Sequence, residues 1–220
     1  MNTYKNSLII APHPDDEVLG CAGTILKNGS NKFNNYCVYV TNFSKKNQKL
    51  KSKKLQIKKV SKLLNFKNIF ELNYPPSSLD RLPKKDLIDK FKKIIDIVKP
   101  NLLYVPNDGD SHSDHKIVFD CLKPFMKSFR YDFIKKIYKY ETLSETNFSE
   151  IYNDSFKPNT WVDISKYINK KIEICLVYKD EFNTHPFPRS SDSVRSLAIL
   201  RGSFANKKYA EAFQLIKSVE

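Results

Sequence analysis

Apolar positions along the chain switch repeatedly between a strand-like and a helix-like rhythm. Ser7–Ala11 (SLIIA) is a short continuous apolar run, the mark of a buried strand. Glu17–Lys27 has helical spacing and meets a stop at Asn28-Gly29. Tyr36–Thr41 (YCVYVT) is β-branched and aromatic and predicts a second strand. Gln48–Leu64 brings Leu50, Ile57, Val60 and Leu64 near one helical face, with Asn65 as a cap. Asn68–Leu72 predicts a third strand, and Leu82–Val98 a helix stopped by Lys99-Pro100. Asn101–Pro106, His115–Lys127 and Ile134–Glu141 then read as strand, helix and strand. Beyond them the pattern predicts a helix from Ser165, after the Asp163–Ser165 segment, and a last helix near Lys207–Lys217.

This alternation predicts an α/β fold, a Rossmann-like and mostly parallel sheet with helices on both faces, joined by right-handed crossovers. In such sheets ligands bind beyond the carboxyl ends of the strands. No repeat, linker or boundary divides the sequence, so residues 1–220 are expected to form one domain.

Composition narrows the function classes. Apolar residues make up 40% and charged residues 28%, and no apolar run approaches the roughly 18 residues of a membrane span. No signal peptide is evident, so the expected location is cytoplasmic, with no membrane partner. Cys21, Cys37, Cys121 and Cys175 are too scattered to form a CxxC pair and read as reduced, buried thiols. A net charge of +14 raises the question of nucleic acid. Only 5 of the 38 basic residues are Arg, the side chain that reads phosphates and bases in bidentate fashion, so no nucleic-acid partner is expected. Lys45–Lys62, with nine Lys and no acid, reads as an amphipathic helix with a solvated basic face.

The polar residues with chemical potential gather after two strand ends. The first strand runs straight into His13-Pro14-Asp15-Asp16-Glu17, and Tyr104-Val105-Pro106 runs into NDGDSHSDH, residues 107–115. Three of the four histidines are in these two places. If the two strands are neighbours, His13, Asp15, Asp16, His112, Asp114 and His115 converge on one cleft. Imidazole and carboxylate suit a borderline divalent metal, and two His with one carboxylate leave a zinc site one open position. A spare carboxylate can take a proton from water, and a spare imidazole can stabilise a tetrahedral oxyanion. The parts suffice for a metal-dependent amide hydrolase. Asp114 is the nearby acid to orient His112 and favour its imidazolium form. Spacing alone does not choose between Asp15 and Asp16 for the metal.

The stretch APHPDDEVLGCAGTI closely resembles the AHPDDE signature of the LmbE-like, or PIG-L, zinc-dependent de-N-acetylases. The likeness continues in order through VYVTN (38–42), LNYP (72–75), HSDH (112–115), YETL (140–143), WVDIS (161–165) and RGSFANKKYAEAF (201–213). It implies a single deacetylase domain with one zinc ion per chain, iron or manganese being alternatives. His13, Asp16 and His115 would be the metal ligands. Asp15 would be the general base, and His112, oriented by Asp114, would stabilise the oxyanion. The implied partner is a small-molecule, N-acetylated amino sugar of the N-acetylglucosamine type.

The sequence departs from the family where substrate is recognised. Lys53 and Gln56 stand where many members have R-x-x-E, and Pro75-Pro76-Ser77 where a Pro-Asp-Gly is common. Lys53 and Arg189 are the expected substrate contacts. Arg195 is a further candidate, and His185 reads as part of a surface loop. Two other functions stay open: hydrolysis of another amide or ester, and non-catalytic binding of a carbohydrate or polyanion. Oligomeric state is open as well, a homo-oligomer included.

Overall fold

The computed structural model describes residues 5–30, 33–42, 49–152 and 156–220. Among the described residues, seven strands form one sheet: β1 (Lys5–Ala11), β2 (Phe33–Thr41), β3 (Asn68–Tyr74), β4 (Leu102–Pro106), β5 (Lys136–Tyr140), β6 (Thr160–Asp163) and β7 (Ala210–Ser218). Their spatial order is β3-β2-β1-β4-β5-β7-β6. The first five are parallel, and β7 runs antiparallel to both β5 and β6. The described α-helices that connect or cover them are α1 (Asp16–Ser30), α2 (Lys49–Leu63), α3 (Lys84–Val98), α4 (Ser113–Leu122), α5 (Ile168–Cys175) and α6 (Ser191–Phe204).

The central strands β1, β2 and β4 are largely apolar on both sides because both sides of the sheet are covered there. Leu8, Ile10, Val38, Val40, Leu103 and Val105 face one core, filled by Leu87, Phe91 and Ile95 of α3 and Val118 and Leu122 of α4. The alternate residues Ile9, Ala11, Cys37, Tyr39 and Tyr104 face the other, with α1, α2 and α5. The four cysteines are free and buried. On α2, Ile57 and Val60 point inward while Lys51, Lys54, Lys58 and Lys59 stand in solvent, as the amphipathic reading of this segment requires. Lys45–Gln48 of the basic run lie outside the described residues. Asn65 takes a left-handed φ of 51° and ends α2.

The last third departs from the sequence pattern. Lys207–Lys217 was expected to be helical, but Ala210–Ser218 is a strand. Its Ala, Glu and Lys content favours a helix in isolation. The segment instead inserts between β5 and β6, where Ala210, Ala212 and Phe213 are buried, and cross-strand packing overrides propensity. Trp161–Asp163 completes a strand that the pattern did not reveal, and α6 was not foreseen. The apolar positions of α6 are split between buried Val194 and Ala198 and exposed Ile199, Leu200 and Phe204, which blurs the helical signal.

A buried ion pair ties these late elements to α1. Lys171 Nζ on α5 donates to Glu211 Oε1 on β7 and to the Leu19 carbonyl, both at 2.7 Å. Glu211 also accepts the backbone N–H groups of Gly23 and Thr24, at 2.8 and 2.7 Å. Gly20 lets α1 approach β5 closely, since a Cβ there would lie 2.4 Å from the Tyr140 ring. The start of α1 is thereby fixed against the sheet at the β1–β4 boundary, where successive connections leave in opposite directions. This is the topological switch point.

Candidate active site

Past β1 the chain turns through Pro12-His13-Pro14, and Pro12 O accepts hydrogen bonds from Thr41 N and Oγ1 at the end of β2. Asp15 then takes a φ of 142°, a sparsely populated conformation for a residue with a Cβ. The buried Glu17 carboxyl holds this bend by accepting Asp15 N–H at 3.0 Å through Oε2. Its other oxygen, Oε1, accepts from Tyr39 and Tyr178 at 3.0 and 2.6 Å. Burial raises the Glu17 pKa to about 8, against the pull of the Tyr178 hydrogen bond. The bend sends the two adjacent aspartates in different directions, Asp16 into the start of α1 and Asp15 toward the loop that carries Arg189.

Asp16 meets two histidines. Its Oδ2 lies 3.4 Å from His13 Nδ1 and 3.2 Å from His115 Nε2, and those two nitrogens are 3.3 Å apart. Each imidazole has a carboxylate behind it. Asp114 Oδ2 is 3.0 Å from His13 Nε2, and Asp110 Oδ2 is 2.8 Å from His115 Nδ1. Asp110 is itself held by Asn107 and Thr146 at 2.9 and 2.7 Å. The outer nitrogen of each ring is thus its donor to a carboxylate, and the inner nitrogen faces the cluster, where its lone pair serves a metal once the ring gives up its second proton. Burial disfavours charge on both rings, but the surrounding carboxylates prevail and raise His13 to about 9 and His115 to about 10. Burial likewise opposes ionisation of Asp16, yet the two histidines keep its pKa well below the usual carboxylate range.

His112 is placed differently from the sequence expectation. It caps α4, with Nδ1 accepting Asp114 N–H at 3.1 Å. The Asp114 carboxylate oxygen is 4.0 Å from that nitrogen, and instead serves His13 and the Ser77 N–H, the latter at 2.8 Å. Asp114 therefore orients His13, not His112, because the lone pair of His112 Nδ1 is already taken by the backbone. That bond leaves the ring proton on Nε2. Burial and the neighbouring His13 lower the His112 pKa, so the ring is a neutral donor rather than an imidazolium.

Asp15 shares an ion pair with Arg189 Nη1, and Arg189 also donates to Ser144 Oγ at 2.7 Å and Glu145 Oε1 at 3.2 Å. Burial raises Asp15 to about 7 against the attraction of that guanidinium. His13, Pro14, Asp15, Lys53, His112, Glu181 and Arg189 line one cleft of about 240 Å³ at the C-terminal ends of the strands. Lys53 is buried and pairs with Glu181 at 2.7 Å. His185 is exposed, and Arg195 contacts Asn169 and Tyr209 on another face. The structure thus brings His13, Asp15, Asp16, Lys53, His112, Asp114, His115 and Arg189 together. Glu17, Glu181, Ser77, Tyr39 and Tyr178 join the site without a sequence signal of their own. Asp110 lies in the same polar cluster as His115, but its spacing of five residues from that ring is no recognisable motif.

The donor set fits a divalent metal. The three inner atoms form a nearly equilateral triangle with sides of 3.2, 3.3 and 3.4 Å. A tetrahedral zinc site with bonds of about 2.0 Å has edges of about 3.3 Å. Asp16 Oδ1 is buried with no hydrogen-bond partner among the described residues, a charge that a cation would compensate. A second grouping, of His13, His112 and Asp114, also lies within ligand range. It would use the His13 nitrogen that now faces Asp114, so the first set is the better fit.

The fold and site define an α/β protein with a metal-type His₂–carboxylate cluster at the switch point of its sheet. The model of the PIG-L family (GlcNAc-PI de-N-acetylase) matches residues 8–125, more than half of the chain, and the chain belongs to that family. A diacetylchitobiose deacetylase of Thermococcus kodakarensis is 23% identical over 240 positions, covering 99% of this chain and 85% of that protein. The structure of an N,N'-diacetylchitobiose deacetylase from Pyrococcus horikoshii superposes with a TM-score of 0.77 at 22% identity, covering 97% of this chain and 84% of that one. A conserved protein of Thermus thermophilus gives 0.78 at 21%, covering 97% and 96%.

Proposed function

We propose that this chain, acting as one catalytic domain, is a metal-dependent deacetylase that removes the acetyl group from an N-acetylglucosamine-type amino sugar, with zinc as its ion. The observation that carries the proposal is the His13–Asp16–His115 triangle beside a buried carboxylate, Asp15, whose Oδ1 has no partner among the described residues. The two diacetylchitobiose deacetylases, one similar in sequence and one in structure, support the choice of substrate class.

His13 Nδ1, Asp16 Oδ2 and His115 Nε2 would hold the ion. When bound, it supplies Lewis acidity, lowering the pKa of a water and polarising the acyl carbonyl. Asp15 works beside it as general base. Arg189 fixes Oδ2, which leaves Oδ1 to accept the proton of the attacking water. His112 Nε2–H donates to the oxyanion that develops as the carbonyl carbon becomes tetrahedral. Asp15 then returns its proton to the departing nitrogen as the C–N bond breaks, giving acetate and a free amine. Lys53 and Arg189 are each tied to carboxylates of the cleft, so the pocket presents balanced charge to an uncharged acyl sugar.

The test joins metal content to acetate release. Protein reconstituted with zinc is expected to hold one ion per chain and to release acetate from N-acetylglucosamine or N,N'-diacetylchitobiose, with both properties lost on chelation. A reconstituted protein that takes up no divalent metal would sink the proposal at the triangle. One that binds metal but acts on neither sugar would sink the substrate class.

A further inference from the structure

The far end of the sheet holds a second cavity that the proposed reaction does not use. A groove of about 700 Å³ opens between the C-terminal half of α1 and the first residues of β4 and β5. It is within the size range of small-molecule sites and larger than the cleft. Its wall is aromatic. Tyr104 and Tyr138 stack with centroids 5.5 Å apart and planes 20° apart, and Phe213 lies 5.4 Å from Tyr104.

The charge of the mouth points to a ligand. Among the described residues, Lys5, Lys27, Lys135 and Lys136 line it against one acidic residue, Glu220, and Lys27 additionally donates to Asp163 O at 3.2 Å. Lysines gathered at the mouth of a low-dielectric groove favour an anion whose apolar body enters while its charge stays at the rim.

We propose that this groove is a second ligand site, for an organic anion with a planar ring, the ring lying against Tyr138 and the anionic group among the lysines. Nucleoside phosphates and simple aryl phosphates share this chemistry.

Calorimetric titration of the zinc-loaded protein with uridine monophosphate and with 4-nitrophenyl phosphate distinguishes these sources, with uridine and inorganic phosphate as partial ligands. At least one ring-bearing phosphate is expected to bind with a Kd below about 1 mM, and both partial ligands at least tenfold more weakly. Whichever phosphate binds more tightly identifies the source. Lys135→Glu combined with Lys136→Glu should weaken binding about tenfold or more. The proposal is overturned if neither phosphate binds. It is overturned equally if inorganic phosphate binds as tightly as the ringed anions, or if binding ignores the lysine substitutions.

Discussion

A single backbone bend separates two adjacent aspartates into two environments. Asp16 faces the histidines, while Asp15 faces Arg189 and the cleft. Asp15→Asn keeps the size of the side chain but removes the base, so turnover should fall by about 10²–10⁴-fold with metal content unchanged. Metal analysis and acetate release on one sample check both halves of that expectation. The bend depends on Glu17, which bonds Asp15 N–H on one side and two tyrosine hydroxyls on the other. Glu17→Gln can keep an oxygen on the amide N–H and turn its NH₂ to the hydroxyls, so stability should change little. Glu17→Ala leaves three buried donors unpaired beside a cavity and should cost about 2–4 kcal/mol in denaturant unfolding. An alanine variant as stable as the parent would show that Glu17 does not hold the bend.

At the scale of elements, β1 to β5 were legible as short apolar or β-branched runs and α1 to α4 as stretches of helical periodicity. Both polar clusters were legible because they follow strands that the pattern located. What the sequence concealed was contact between distant elements. The pairing of Asp114 with His13 spans 101 residues, and a reading that looked for the nearest acid assigned it to His112. Likewise, the helix expected at Lys207–Lys217 rested on local propensity, whereas Glu211 and Phe213 are strand residues by virtue of α1, α5 and two neighbouring strands. The Lys171–Glu211 pair offers a test at this scale. Lys171→Met strands a buried carboxylate between α1 and β7 and should destabilise by about 3–5 kcal/mol. Adding Glu211→Gln should recover part of that loss, since the uncompensated charge is gone. Denaturant midpoints of the two variants decide it.

For the molecule as a whole, the site imposes a pH dependence that metal should weaken. His13 and His115 have folded pKa values of about 9 and 10, above the ordinary 6.5. Without metal, their protonation stabilises the fold fully below pH 6.5, and that contribution is lost as pH rises toward 9 and 10. Asp15 and Glu17, raised to about 7 and 8, act with the same sign from a lower starting pH. The chelated protein should therefore lose Tm steadily between pH 6.5 and 9. In the zinc-loaded protein a cation replaces the imidazole protons, so its Tm should fall less over the same interval. Parallel thermal scans would expose an error in the donor assignment as two curves of equal slope.

The place of β7 has a consequence for synthesis. It is made after β6 yet lies between β5 and β6. While the ribosome still holds residues 210–218, β5 keeps a bare edge, β6 has no neighbour, and the Lys171 ammonium lacks its carboxylate. The nascent chain thus displays an unpaired strand edge of the kind that recruits other chains. The sheet closes only after those residues emerge, which makes the unfinished polypeptide, rather than the finished protein, the form most in need of a chaperone.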